Sequence, residues 1–167
     1  ASPGDDGETP GLLSRGFAPM VKVSPHVLDF DNKRHYFRSK LKAHRPEHHR
    51  YDTIRLRVRR SDVFMDSYHQ LRMRSGEELR GRTQVTFIGE EGVDAGGLVR
   101  EWFDILARSM LDPNYALFSH VGGKACVFHP NENSYVNTDH ILFFEFVGKI
   151  VAKAVYEQQN LSAYFSR

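Results

Sequence analysis

Cys126 is the only thiol in the 167-residue chain, so any nucleophilic sulfur chemistry in this sequence has to run through it. It stands in Lys-Ala-Cys-Val-Phe-His, with His129 three residues on. A cysteine attacks as the thiolate, which a nearby base or cation must sustain. In a regular strand, residues three apart point to opposite faces, so His129 is badly placed to serve Cys126. The pattern predicts a small buried hydrophobe instead. His44, His48 and His49 are the next candidates. His44 and His48 have the i,i+4 spacing that presents two imidazoles on one helix face, but Pro46 interrupts any helix through them. No cysteine or carboxylate cluster stands beside them to complete a metal site. Glu90, Glu91 and Asp94 could mimic the paired carboxylates of general acid–base chemistry. An exposed acidic turn followed by a helix cap accounts for them better. The glycines around them lack both the Gly-Lys-Ser/Thr ending and the Gly-x-Gly-x-x-Gly spacing of phosphate-cradling loops. The sequence therefore predicts no catalytic, cofactor-binding or metal-ligating residue, and no cofactor.

Charge offers one further possibility. The net charge is only +2, yet residues 33 to 60 hold 11 of the 23 lysines and arginines against Glu47 and Asp52 alone. Such a segment can grip nucleic-acid phosphates. Tyr36 and Phe37, however, sit at helical core spacing rather than as stacking platforms. A solvated helix face followed by a strand's outer face is the simpler reading, with an acidic partner left open.

These residues need elements to hold them. Residues 1 to 25 are rich in Pro, Gly, Asp and Ser and read as a flexible linker, too poor in apolar area to offset ordering entropy. Phe30, Phe37 and Leu41 share one helical stripe that ends before Pro46. Thr53 to Arg59 alternates, with Ile54, Leu56 and Val58 on one face and Arg55, Arg57 and Arg59 on the other, the pattern of a half-buried strand. Ser61 is expected to cap a helix carrying Phe64, Tyr68 and Leu71. A second alternating segment, Arg82 to Ile88, points Val85 and Phe87 to one side. A helix capped by Asp94 turns Leu98, Trp102, Ile105 and Leu106 inward and stops at Asp112-Pro113. Gly96 and Gly97 in its first turn each cost about 1 kcal/mol against alanine, which is tolerated where a side chain would meet a neighbouring backbone. Leu117 to Val121 and Lys124 to His129 read as strands joined through Gly122-Gly123. Thr138 then opens an almost wholly apolar helix. Its exceptions, Glu145, Lys149, Lys153 and Glu157, fall four apart, which predicts burial on most sides and one wet edge, with Glu145 and Lys149 as an ion pair.

Residues 89 to 103, Gly-Glu-Glu-Gly-Val-Asp-Ala-Gly-Gly-Leu-Val-Arg-Glu-Trp-Phe, resemble the signature of the HECT ubiquitin ligases in their N-terminal lobe. Phe30 to Leu41 and Tyr51 to Arg60 are similar to the first helix and first strand of that lobe. Asn114 to Phe118 and Phe144 to Tyr156 follow in family order. The resemblance covers about residues 26 to 167 and leans toward the Huwe1, Tom1 and plant UPL branch.

The resemblance implies an α+β, predominantly helical fold. This is the large subdomain of the HECT N-lobe, with about four helices and short antiparallel strands. Beyond the linker that composition gives at 1–25, it implies a partial HECT domain at 26–167. HECT ligases pass ubiquitin from an E2 through a cysteine thioester to substrate lysines. The family places that thiol, and the E2-docking subdomain before it, beyond this stretch. The parent enzyme's partners are then E2, ubiquitin and a protein substrate. This chain's own partner is the rest of the HECT domain. The chain alone is expected to be inactive and to lack the catalytic cysteine. Ala95 replaces a tyrosine that helps some Nedd4-type ligases bind a second ubiquitin, which puts that contact in doubt. The alternatives are a non-catalytic scaffold that binds ubiquitin or a regulatory partner, and a basic nucleic-acid module. One cysteine allows no intramolecular disulfide, and no secretory leader or membrane-length apolar run is visible. A cytoplasmic or nuclear location is expected.

Overall fold

The computed structural model describes residues 18–43, 53–91, 95–122 and 127–166. Two compact units divide the chain, residues 1–49 and 50–167. In the first, Ala18–Val23 forms a short helix, α1, within the stretch read as a linker. Helix α2 spans Phe30–Ala43. Asp29 precedes its first turn, and its carboxylate accepts the Asn32 amide at 2.8 Å. The predicted stripe on α2 is not a core face. None of its residues is buried, and Phe30 and Phe37 are 72% and 49% exposed. Helical spacing marks which residues share a side, but only a neighbour can cover them.

The second unit begins with strand β1, Ile54–Val58, and strand β2, Thr83–Phe87. Each alternates buried and exposed residues as its sequence predicts. Their pairing corrects the expected antiparallel ribbon: β1 and β2 are parallel, from Ile54↔Thr83 to Val58↔Phe87. The chain between them contains helix α3, Val63–Leu71, and a 3-10 turn, Glu78–Arg80. A connection of that length, with a helix inside it, is what two parallel strands require. The outer edge of β1 is partly closed by α3. The Gln70 side chain accepts from the Arg57 amide at 3.1 Å and donates to its carbonyl at 2.8 Å. Asp66 accepts from the Arg59 amide at 2.8 Å. Backbone groups covered in this way are unavailable to another strand.

Helix α3 starts one residue later than expected, because Arg60–Asp62 winds as a 3-10 turn and Asp62, not Ser61, stands at its N-cap. Phe64, Tyr68 and Leu71 are buried as predicted. Helix α4 runs Ala95–Met110. Trp102 and Leu106 are fully buried along it, with Val99, Phe103, Ala107 and Met110, while Leu98 and Ile105 are partly buried. The Trp102 indole N–H donates to Ser67 Oγ at 2.9 Å, tying α4 to α3 inside the core. Gly96 and Gly97 are exposed.

Strands β3, Phe118–His120, and β4, Val127–Pro130, pair antiparallel as the hairpin reading predicts. A strand not foreseen, β5, Tyr164–Phe165, adds to β4 in parallel. Helix α5, His140–Glu157, begins after Asp139 rather than at Thr138. It buries Phe143, Phe146, Val147, Ile150 and Ala154. The Phe64 ring is the hub where α3 meets α5, with Tyr115, Phe143 and Phe146 at 4.3, 5.4 and 5.5 Å. Edge-on rings at such distances add to the area they bury. Among the described residues, no helix is long and apolar enough to cross a membrane.

Candidate functional site

The signature turn does structural work. Gly89 takes φ +87°, a left-handed conformation glycine adopts without strain, and the chain turns there out of β2. Glu90 then lies beside Arg60, which follows β1. The guanidinium donates to both Glu90 oxygens at 2.6 and 2.8 Å and to Glu101, on α4, at 2.7 Å. The same guanidinium lies 4.3 Å from the centroid of the Phe87 ring. One arginine therefore joins the end of β1, the turn after β2 and the first half of α4. Its hydrogen bonds to Glu90 and then to Glu101 hold it firmly protonated, and Arg60 in turn holds the Glu90 carboxyl below the usual glutamate range. Of the carboxylates that resemble an acid–base pair, Glu90 is thus engaged in an ion cluster, and Glu101 meets Arg60, a partner the sequence does not reveal. Arg100 is exposed.

A second ionic node sits inside α5. Lys153 was expected on a wet edge, yet its side chain is only 1% exposed. Its ammonium donates to the carbonyls of Leu79 and Gly81 at 2.8 and 2.9 Å and to Glu157 at 2.9 Å. Glu157 also accepts from the Thr83 amide at 3.0 Å and its hydroxyl at 2.7 Å. Burial pushes the Lys153 ammonium below the ordinary lysine range, and Glu157 offsets part of that push. The i,i+4 Lys–Glu spacing was visible in the sequence; its burial was not. The expected Glu145–Lys149 pair forms at 2.9 Å, and Lys149 also donates to the Arg72 carbonyl at 2.7 Å.

The one wet edge of α5 is mostly apolar and, of the four expected residues, includes only Glu145. Ile141, Leu142, Glu145, Gly148, Ala152 and Val155 are exposed, and all but Leu142 repeat at spacings of three and four. A Cβ built on Gly148 meets nothing within 4 Å. Near one end of this face Tyr68, Arg72, Leu142, Glu145, Phe146 and Lys149 line a shallow cleft of about 140 Å³. Small residues at the middle of an exposed stripe leave room for another backbone to approach closely.

The other sequence candidates do not converge. Cys126, Asp94, His44, His48 and His49 lie outside the described residues. His129 is on β4, opposite Ser119. Among the described residues, no three His, Cys, Asp or Glu side chains are grouped to hold a metal. Arg59 is bound to Asp66 at 2.6 Å and Asp62 at 3.0 Å, whereas Arg55 and Arg57 stand exposed.

The likeness seen in the signature holds along nearly the whole chain. A family model described as HECT-domain (ubiquitin-transferase) matches residues 104–167. E3 ubiquitin-protein ligase UPL2 of Arabidopsis thaliana is 48% identical over 160 residues, 96% of this chain and 4% of that protein. E3 ubiquitin-protein ligase TOM1 of Saccharomyces cerevisiae is 45% identical over 159 residues, 95% of this chain and 5% of its own length. E3 ubiquitin-protein ligase HUWE1 of Mus musculus is 48% identical over 159 residues, 95% and 4%. The chain belongs to the HECT-domain family. It spans about a twentieth of the length of these relatives. The matched stretch is longer than residues 26–167, so the likeness enters the first 25 residues as well.

Proposed function

We propose that this chain is the scaffold portion of a HECT ubiquitin-protein ligase. The complete protein receives ubiquitin from an E2 as a cysteine thioester and passes it to substrate lysines. The relay thiol lies outside this stretch, and Cys126 is not it. The observation that carries this reading is the division of labour on α5. Its inward face is consumed by the core, while its outward face presents Ile141, Gly148, Ala152 and Val155 to solvent. A largely apolar helix face of this kind is what an internal domain contact needs. The rest of the HECT domain is the partner that covers it. A reducing compartment, cytoplasm or nucleus, suits a free relay thiol.

The test uses the longer protein that contains this stretch, incubated with E1, a broad E2 panel and ubiquitin and resolved with and without reductant. A reductant-sensitive ubiquitin adduct is expected on that protein and on its Cys126→Ala variant, and not on the 167-residue chain. Loss of the adduct in Cys126→Ala would give the thiol role to Cys126. No adduct with any E2 would end the transferase reading in favour of a non-catalytic scaffold. The docking role has its own test: Ala152→Glu should leave the melting temperature of the isolated chain almost unchanged and lower that of the longer protein. Equal effects in both would remove the docking face.

A further inference from the structure

We propose that the outer face of the β1–β2 ribbon is a docking site for a short acidic peptide segment of a partner protein. The ribbon's inner face is in the core, and its outer face carries Arg55 and Arg57 from β1, with Arg82, Gln84, Thr86 and Ile88 in the outward row of β2. No described carboxylate pairs with Arg55, Arg57 or Arg82. The neighbouring arginines differ. Arg59 is neutralised by Asp62 and Asp66, and Arg60 by Glu90 and Glu101. Among the described residues, the cations at one end of the ribbon are thus satisfied by carboxylates and those along its face are not.

That arrangement has a cost. Like charges side by side on one sheet face repel. A surface serving only solubility intersperses both signs. The residue used is arginine, whose planar fork accepts a carboxylate with two parallel hydrogen bonds. Residues two apart on a strand stand about 7 Å apart on one face. Carboxylates at alternate positions of an extended peptide have the same spacing and match Arg55 and Arg57.

Three observations favour peptide over nucleic acid. The only aromatic ring of the ribbon, Phe87, points into the core, so nothing on this face stacks a base. Ile88, 49% exposed, extends the outward row of β2 and gives an apolar foothold. The positive strip is short, about 16 Å for strands of five residues, and Arg59 and Arg60 beyond β1 are already paired. The partner lies across the face rather than adding as a strand beside β1, where Gln70 and Asp66 occupy backbone groups.

The experiment is fluorescence anisotropy on the whole chain at low ionic strength. The probes are a labelled hexapeptide of alternating Glu and Val, its Lys-for-Glu counterpart and an oligothymidylate of equal charge. Saturable binding of the acidic peptide is expected, weakened about tenfold or more in Arg55→Glu/Arg57→Glu and in Arg82→Glu. Arg55→Gln/Arg57→Gln should lose less, and Arg108→Glu on the exposed side of α4 should bind as the native chain does. Far-ultraviolet circular dichroism confirms that each variant folds. The proposal is overturned if the acidic peptide does not bind, if the ribbon variants bind it unchanged, or if Arg108→Glu loses as much. Tighter binding of the oligothymidylate would assign the face to nucleic-acid phosphates instead.

Discussion

Lys153 and Arg60 each bridge segments far apart in the chain, and each holds carboxylate or carbonyl acceptors at 2.6 to 2.9 Å. What separates them is water. The Lys153 side chain is 1% exposed and that of Arg60 is 42% exposed. Similar geometry then has different consequences. A buried ion that loses its partner leaves an uncompensated charge or unpaired carbonyls in a poorly solvating interior. An exposed ion that loses its partner is rehydrated at little cost. The number of short contacts around a charge therefore says less about stability than the exposure of the groups that make them.

Lys153→Met should show the largest effect. It strands the Leu79 and Gly81 carbonyls and should lower unfolding stability by about 3 kcal/mol, read from urea denaturation of the chain. A loss no larger than that of Arg60→Gln would erase the contrast. Glu157→Gln keeps the shape, and the new amide still has an oxygen for Thr83 while losing the charge opposite Lys153. About 1 to 2 kcal/mol is expected, with α5 amides near its C-terminus exchanging hydrogen faster than those at Phe146.

The next effect is on pH. Because burial holds the folded Lys153 pKa below 10.5, the unfolded chain binds that proton more tightly. Stability therefore rises with pH from the folded pKa up to about 10.5, a rise that Lys153→Met should lack. Asp66 behaves oppositely at the acid end. The Arg59 side chain holds its carboxyl below 3.8. Its contribution is complete above about pH 4 and is lost as pH falls through the folded pKa. A carbon-13 titration of the Asp66 carboxyl that gave an ordinary aspartate value would contradict the pairing with Arg59. Smallest of all, Arg60→Gln should barely move the urea midpoint, and 1 M salt, where screening acts over about 3 Å, should shrink even that difference. A persistent effect in high salt would mean that contact with Phe87 matters more than charge.

The parts of this fold readable in the sequence are those controlled by short-range rules. Alternation in 54–58 and 83–87 marked which side chains face inward, and the structure agrees at every position of both strands. Helical spacing placed Phe64, Tyr68, Leu71, Trp102 and Leu106 in the core. The family signature at 89–103 was also legible, as a run of residues that resembles the family's own. The ion partner of its Glu101 was not. Arg60 lies 41 residues away, and nothing local marks that distance as closed.

Burial and pairing sense needed the assembled molecule. The same spacing that put Trp102 inside left Phe37 outside, because a stripe becomes core only where another element covers it. Lys153 looked like a member of a wet edge because Glu145 and Lys149 share its spacing. It is buried because the carbonyls of Leu79 and Gly81 and the carboxylate of Glu157 converge on it, and no local pattern encodes that convergence. The two strands alternate identically whether they run parallel or antiparallel; the path through α3 decided it. By itself the sequence carried motifs that resemble the family's, and it determined the strand faces and the helical stripes, which follow from backbone periodicity and side-chain chemistry within a few residues. The tertiary structure decided which charges lie beyond the reach of water and which apolar face of α5 remains open, since burial depends on groups brought together from distant parts of the chain.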